Sequence, residues 1–314
     1  MPCYSPLKGY KDSETGGLVF KRSRKAEEKM EVACSQCLGC RLDRSRMWAM
    51  RITHEASLYE YSEGNSFITL TYENEHLPLN GSLDVRDWQK FMKRLRHHLS
   101  PKKVRFYMAG EYGEDESGRI GRPHFHAIIF NHMFGGRELW KSDRGVEVYT
   151  STELADVWQK GFVTVGEVTF QSAAYIARYT MKKRTGKQSE VIDPETGLRW
   201  YERIHPETGE VVSVNPEFST MSRNPGIGGS WYEKYKTDVF PSDEVPVPGY
   251  GVIKGTPRFY TERLAREEPE SHEEVRKLRQ VFREEHESEY TPERLFAKYK
   301  VKKAQLASLR RTLE

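Results

Sequence analysis

The stretch GRPHFHAIIF, residues 121–130, has the alternation of a β-strand, and it sets the fold class. Successive side chains of a strand point to opposite faces, so His124 and His126 share one face while Phe125 and Ile129 share the other. The apolar face predicts packing against a core. The histidine face is therefore predicted to bind something.

Further strands and helices are predicted on either side of this strand. Residues 104–113 (VRFYMAGEYG) predict its antiparallel hairpin partner, and residues 67–72 (FITLTY) predict a central strand. Apolar residues at helical spacing predict a basic helix over 42–59 and an amphipathic helix over 88–99. The prediction is an α+β fold: a central antiparallel sheet that carries the site on one face, the helix predicted to begin at Ser172 beneath it, and helices over the other face.

Several helix ends are predicted from capping signals. Thr150 and Glu153 have the spacing of a capping box, and Gly161 stands where a C-terminal cap belongs. Asn215, which precedes a proline, predicts the start of a short helix, and Thr291 before a proline predicts the start of a last helix.

The sequence is divided into four predicted regions. A cysteine cluster and basic helix (1–60) pack on a core (61–185), which is followed by a hairpin insertion with short helices (186–258) and a charged helical tail (259–314). The hairpin is predicted from two near-identical turns, DPETGL and HPETGE.

Composition narrows the classes of protein. Hydrophobic residues make up 37% of the chain, which suits a folded protein rather than a disordered one. No apolar run is long enough to span a bilayer and the first ten residues contain no signal segment, so we expect a cytoplasmic protein. The net charge of +4 by itself identifies no partner.

Basic side chains are concentrated in the two predicted helices. Trp48, Tyr59 and Trp88 lie among them, a combination typical of surfaces that bind single-stranded DNA. A solvated helix face without a partner is the alternative interpretation. The candidate DNA-binding residues are Arg41, Arg44, Arg46, Lys93, Arg94 and Arg96.

The two histidines have a third candidate ligand close by. Glu111 is the nearest carboxylate on the predicted hairpin partner, so it can meet His124 and His126 on one face. Two imidazoles and one carboxylate leave open positions on a divalent ion, which then polarises a substrate oxygen. The alternative is that these are polar residues on a solvated sheet face.

A helix predicted to begin at Ser172 presents two phenols and an amine on one side. Tyr175 and Tyr179 are four residues apart, and Lys182 follows Tyr175 by seven. A phenol has a pKa of about 10, so attack at neutral pH requires a nearby cation or a metal-polarised phosphate. Together with the histidines, the pattern predicts attack by a tyrosine on a phosphodiester; the alternative is core packing.

Three of these stretches, FITLTY, GRPHFHAIIF and YIARYTMKK, resemble the motifs of HUH endonucleases that initiate rolling-circle replication. Together with CSQCLGCRLDRSRMWA and EFSTMSRNPGIGGSWYEKY, they resemble the replication initiators of gokushovirus-type microviruses, small single-stranded DNA phages. The resemblance extends to about Tyr260. It implies a ferredoxin-like or RRM-like palm as the sheet of the core.

The resemblance also implies roles for the site residues. His124, His126 and Glu111 would bind Mg²⁺ or Mn²⁺, Tyr175 and Tyr179 would be nucleophiles, and Lys182 would stabilise the phosphate or phenolate. The products would be a 5′-phosphotyrosine and a 3′-hydroxyl that primes synthesis. The implied partners are single-stranded origin DNA and the host replication helicase and polymerase, in the host bacterial cytoplasm and without a membrane.

The cysteines form a separate candidate site. Cys34, Cys37 and Cys40 recur every three residues, and with Cys3 they supply four thiolates for a structural Zn²⁺. Reduced thiols without a metal are an equally supported interpretation, and an iron–sulfur cluster is a third.

Two alternative functions remain at this level. One is an iron oxygenase with a two-histidine, one-carboxylate site, in which the tyrosines have no role. The other is a non-catalytic, zinc-dependent DNA-binding protein, which would form no covalent adduct with DNA.

Overall fold

The computed structural model describes residues 3–22, 28–59, 64–114, 118–143, 145–179, 183–184, 186, 189–205 and 207–308. In chain order the strands are β1 (Leu7–Lys11), β2 (Leu18–Val19), β3 (Glu28–Val32), β4 (Asn65–Thr71), β5 (Arg105–Glu114), β6 (Ile120–Phe130), β7 (Arg137–Asp143), β8 (Val146–Ser151), β9 (Val163–Gly166), β10 (Glu202–Ile204), β11 (Val211–Ser213), β12 (Phe218–Met221), β13 (Glu244–Val247) and β14 (Gly251–Lys254). The α-helices are α1 (Leu38–Ser57), α2 (Val85–His98), α3 (Thr152–Trp158), α4 (Phe170–Tyr179), α5 (Gly229–Val239), α6 (Arg258–Glu267), α7 (Pro269–Glu285) and α8 (Pro292–Ala307).

A seven-stranded antiparallel sheet flanked by helices confirms the predicted α+β class. Its strand order is β12-β5-β6-β4-β9-β8-β7, so β4 lies in the middle, as predicted for FITLTY. The hairpin of β5 and β6 is also present, with Arg105 opposite Phe130 and Glu111 opposite His124. The strand that contains the two histidines is thus hydrogen-bonded on both sides.

Helices cover both faces of this sheet. Phe125 and Ile129 of β6 belong to one core cluster together with Trp88 of α2 and Trp158 of α3. On the histidine face, Ile128 of β6 belongs to a second cluster with residues of α1 and α4. The histidine face is therefore mostly apolar as well, and α4, which carries the two tyrosines, packs against it.

Two predicted helix caps are wrong by one or two residues. The N-cap of α3 is Ser151, whose hydroxyl accepts from the Leu154 N–H at 3.1 Å, rather than Thr150. The C-cap is Gln159, in the left-handed region at φ 61°, rather than Gly161. β8 continues through Thr150 as far as Ser151, so the neighbouring hydroxyl is the one that can cap the helix.

The segment after Asn215 also differs from the prediction. It forms the edge strand β12, antiparallel to β5, instead of a short helix. The predicted hairpin is confirmed by the pairing of β10 with β11, and the last helix does begin after the N-cap Thr291.

The described residues form two compact units. The terminal unit comprises Met1–Arg46 and Leu264–Arg311, and the sheet unit comprises Met47–Arg263. The predicted division into four regions stays a prediction. Within the described ranges, no helix has the length and apolar character needed to cross a bilayer.

Candidate functional site

The β5–β6 hairpin brings the three predicted metal ligands together. Glu111 lies directly opposite His124, and His126 is two residues further along the same face. The Nε2 atoms of His124 and His126 lie 2.7 and 3.1 Å from the same carboxylate oxygen, Glu111 Oε1. One ligand atom from each residue lies within 4.8 Å of the others, so a single ion can contact all three.

The other nitrogen of each imidazole contacts a neighbouring group. His124 Nδ1 donates to the Arg122 carbonyl oxygen at 3.3 Å, and His126 Nδ1 lies 3.0 Å from the Thr69 hydroxyl on β4. Partners of this kind fix the ring orientation and leave Nε2 to coordinate a metal.

The chemistry of these donors fits a cation. Nε2 of His124 lies only 2.7 Å from a carboxylate oxygen of Glu111, and an imidazole lone pair and a carboxylate oxygen are both hydrogen-bond acceptors. Two acceptors at this distance require a proton or a cation between them. The three donors are the nitrogen and oxygen ligands that divalent ions accept.

Glu111 is ionised at neutral pH although it is only 1% exposed. Burial raises the pKa of a carboxyl group, but hydrogen bonds from His124 and His126 and their positive charge outweigh it and lower the pKa of Glu111 to about 2. A carboxylate, the form of Glu111 that can bind a metal, therefore faces the two imidazoles at neutral pH.

Helix α4 places both tyrosines against His126. The Tyr179 ring is stacked on the imidazole at 4.9 Å, and the Tyr175 ring meets it edge-on at 5.5 Å. The two phenol rings are 4.8 Å apart and perpendicular, at 89°. Both tyrosines are buried, at 7% exposure or less. The predicted nucleophiles and metal ligands therefore lie in one site.

The start of α4 is held by two reciprocal hydrogen bonds. Thr169 Oγ1 accepts from the Ser172 N–H at 3.1 Å, and Ser172 Oγ accepts from the Thr169 N–H at 2.8 Å. This arrangement is that of a capping box. The helix begins at Phe170, two residues before the predicted start.

Arg178 is a residue of the site that the sequence prediction missed. Its guanidinium lies 5.8 Å from the Tyr175 ring centroid, and the side chain is half-buried. Burial lowers the pKa of Arg178, and attraction to Tyr179 and Tyr175 opposes this change. The available signal was its spacing, because an arginine three residues after Tyr175 lies on the same side of a helix.

Lys182, the third predicted residue of this helix, lies outside the described residues. The end of the predicted two-tyrosine helix also lies outside them. The role predicted for Lys182 stays a prediction.

The basic residues of α2 lie on the opposite face of the sheet from the histidines. Lys93 and Arg96 are exposed, whereas Arg94 donates to the carbonyl oxygens of Val157 and Trp158 at 2.7 and 2.8 Å. Trp88, whose place among the basic residues was taken to favour DNA binding, is only 1% exposed and belongs to the core. That part of the prediction is wrong, because the aromatic ring faces the sheet rather than solvent.

The basic residues at the start of α1 belong to the terminal unit. Arg44 donates to the Ser35 carbonyl oxygen at 3.2 Å, Arg46 pairs with Asp43 at 2.8 Å, and Arg41 is half-buried. DNA binding by these residues stays a prediction.

The fold and the site define a class: α+β proteins with a His-x-His and carboxylate set on an antiparallel sheet, beside paired tyrosines on a helix. The model of the family described as replication-associated protein ORF2/G2P matches residues 65–184, from β4 through α4. The chain belongs to the microvirus-type replication-associated proteins.

The similarity to individual relatives extends well beyond that segment. Replication-associated protein VP4 of Bdellovibrio phage phiMH2K is 31% identical over 86% of this chain and 79% of the relative. Replication-associated protein ORF2 of Spiroplasma virus 4 is 31% identical over 75% of this chain and 68% of the relative. Replication-associated protein ORF4 of Chlamydia phage 1 is 35% identical over 48% and 38%. No solved structure matches the chain.

Proposed function

We propose that this protein initiates rolling-circle replication of a small single-stranded DNA phage by nicking the origin with a tyrosine nucleophile. The observation that carries the proposal is the contact of both Tyr175 and Tyr179 with His126, a member of the candidate metal-ligand set. Membership of the replication-associated family supports the biological setting.

His124, His126 and Glu111 are the residues that would hold Mg²⁺ or Mn²⁺. When bound, such an ion neutralises phosphate charge and makes phosphorus more susceptible to attack. Glu111 supplies the anionic ligand because its pKa of about 2 keeps it ionised at neutral pH. The Arg122 carbonyl and the Thr69 hydroxyl hold the two imidazoles in orientation.

The proposed reaction is a transesterification at phosphorus. The phenol oxygen of one tyrosine forms a bond to phosphorus and loses its proton, and the bond from phosphorus to the 3′ oxygen breaks. The leaving oxygen gains a proton and becomes the 3′-hydroxyl primer. One phosphodiester replaces another, so the link is stable enough to persist and reactive enough to be reversed.

The second tyrosine gives the cycle a second nucleophile on the same helix. After one round of synthesis it can cut the regenerated origin, and the freed 3′-hydroxyl can attack the first phosphotyrosine to close a circle. Host helicase and polymerase would use the exposed primer inside the bacterium.

Covalent adduct formation is the direct test. Purified protein is incubated with Mn²⁺ and single-stranded oligonucleotides that tile the encoding phage genome, and the products are separated on a denaturing gel. We expect a protein–DNA adduct with one tile or a few. Mass spectrometry of the digested adduct should find the nucleotide on Tyr175 or Tyr179.

Variants of Tyr175 and Tyr179 test whether their hydroxyl groups form the adduct. Tyr175→Phe with Tyr179→Phe should abolish the adduct, each single variant should retain part of it, and a chelator should prevent it. Tyr235→Phe, a phenol on α5 outside the site, is the matched control. An adduct that persists in the double variant would contradict the proposal. DNA binding without any adduct would favour a non-catalytic DNA-binding protein instead.

A further inference from the structure

All four cysteines of the chain lie in one cluster in the terminal unit. None forms a disulfide. We propose that Cys3, Cys34, Cys37 and Cys40 bind one structural Zn²⁺ that joins the β1–β3 sheet to the first turn of α1. This site is separate from the proposed nicking chemistry and does not depend on it.

The spacing of the sulfur atoms matches a single tetrahedral ion. The Sγ atoms of Cys34 and Cys40 are 4.0 Å apart, and those of Cys37 and Cys3 are 3.9 Å apart. All four sulfurs lie within 4.8 Å of one another. Zinc–sulfur bonds of about 2.3 Å in a tetrahedron give sulfur–sulfur distances of about 3.8 Å.

Backbone N–H groups surround the sulfurs. Cys37 Sγ accepts from the Tyr4 N–H at 3.3 Å, Cys3 Sγ from the Cys34 N–H at 3.3 Å, and Cys34 Sγ from the Cys37 N–H at 3.2 Å. Ser35, at φ 62°, makes the turn that brings the Cys37 N–H back to Cys34. Hydrogen bonds to sulfur favour the thiolate form, which is the form that binds metal.

The position of the cluster gives the ion a structural role. Cys3 precedes β1 and Cys34 follows β3, and these two strands pair from Leu7 opposite Val32 onward. Cys40 lies in the first turn of α1. A single ion therefore fastens the start of β1 and the end of β3, which are neighbours at one end of the small sheet, to the helix.

The small sheet has almost no core of its own. Ahead of α1, the described residues include one buried apolar side chain, that of Cys3. A domain segment that buries so little apolar surface needs another source of stability, and a structural metal supplies one. Four thiolates around one ion favour zinc, and the sulfur positions fit one ion rather than a cluster of several.

Metal analysis of the full-length protein tests the proposal. Protein purified without added metal should contain about one zinc ion per chain, as measured by inductively coupled plasma mass spectrometry. His124→Ala with His126→Ala is the matched control, because it removes the other candidate site and should leave the zinc content unchanged. Cys34→Ser should reduce the zinc content severalfold.

Counting the reactive thiols of the native protein gives a second test, which does not depend on whether the Cys34→Ser variant folds. Because the chain has four cysteines, all in the cluster, native protein should react slowly with a thiol reagent, and a strong chelator should release four reactive thiols with the zinc. Replacement by Co²⁺ should give the visible absorption of tetrahedral cobalt thiolate. Iron in place of zinc, or four rapidly reactive thiols in native, metal-free protein, would overturn the proposal.

Discussion

Arg178 places a positive charge beside the two phenols. On the proposed chemistry it stabilises the phenolate that forms as a tyrosine attacks or leaves. We expect Arg178→Met to slow single-turnover adduct formation by about tenfold to a hundredfold, since one charged donor in a reacting site contributes on that order. Arg178→Lys should retain most of the rate.

The pH profile separates this role from a purely structural one. Without the nearby cation the phenol loses its proton less readily. The rate of adduct formation by Arg178→Met should therefore reach its maximum at a higher pH than the rate of the native protein. Arg258→Met, at an exposed position on α6, serves as the control. Equal rates and superimposable profiles for Arg178→Met and native protein would show that Arg178 has no part in the reaction.

His54 provides a residue-level prediction about stability. It is fully buried; its Nε2–H donates to the Pro246 carbonyl at 3.0 Å, and Nδ1 accepts from the Tyr260 hydroxyl at 2.9 Å. Burial lowers the pKa of His54 to about 3, although the Pro246 carbonyl opposes this change. The folded protein therefore holds this imidazole neutral.

Below about pH 6.5 the unfolded chain binds a proton at His54 that the folded chain does not, so the free energy of unfolding falls. The expected slope is about 1.4 kcal/mol per pH unit from there toward pH 3, with no contribution above pH 6.5. Urea unfolding at several pH values should show this extra loss in the native protein relative to His54→Gln. If the free energy of unfolding has the same pH dependence in both proteins, His54 does not make this contribution.

Spacing along the chain predicted that His124 and His126 share a strand face and that Tyr175 and Tyr179 share a helix face, because strand and helix geometry determine this locally. The meeting of these two faces in one site was implied by the resemblance to replication initiators, not by spacing. The environment of Trp88 and Arg94 does not follow from spacing either, because their neighbours come from other elements. An amphipathic helix shows that one side is buried without showing which sheet face it covers.

At the level of elements, we expect the capping of α4 to help position both tyrosines. Thr169→Ala removes an exposed hydroxyl that caps the helix and should cost about 1 kcal/mol of stability. Because the first turn holds α4 over His126, adduct formation should fall as well. Unfolding and adduct assays on the same protein measure the two effects.

Thr291→Ala is the matched control for that variant. Thr291 is likewise an exposed N-cap, on α8 in the terminal unit. It should lower stability by a similar amount and leave adduct formation unchanged. A Thr169→Ala protein with full activity would mean that the tyrosines are positioned by core packing alone.

Strands and helices with strong periodicity were predicted well, and their ends less so. Thr150 and Ser151 both have hydroxyls able to cap α3, and only the length of β8 decides between them. The edge strand β12 was missed because its partner β5 lies more than a hundred residues earlier. The residues around Asn215 do not indicate that this segment pairs with β5.

At the level of the whole molecule, the terminal unit is assembled from both ends of the chain. Arg283 pairs with Glu31 at 3.0 Å, and the rings of Tyr4 and Tyr299 lie 6.0 Å apart, across nearly the full length of the sequence. Composition and charge runs suggested separate N-terminal and C-terminal regions. Contacts so distant in sequence cannot be read from either end.

Truncation after Arg263 should therefore destabilise the N-terminal strands β1 and β3. We expect faster hydrogen exchange in β1 and β3, because removal of α7 and α8 takes away their partners in the unit. Exchange in β4, β5 and β6 should stay slow. Equal acceleration in the seven-stranded sheet would show that the two units fold as one.

The perpendicular arrangement of the two phenols has a consequence for the order of events. Tyr179 lies flat against His126 and Tyr175 meets it edge-on, so the two proposed nucleophiles have different surroundings before DNA binds. On the proposed chemistry, the two phenols are therefore not equivalent. A replication cycle that begins at one phenol and ends at the other would then take its order from the different positions of two tyrosines one helical turn apart.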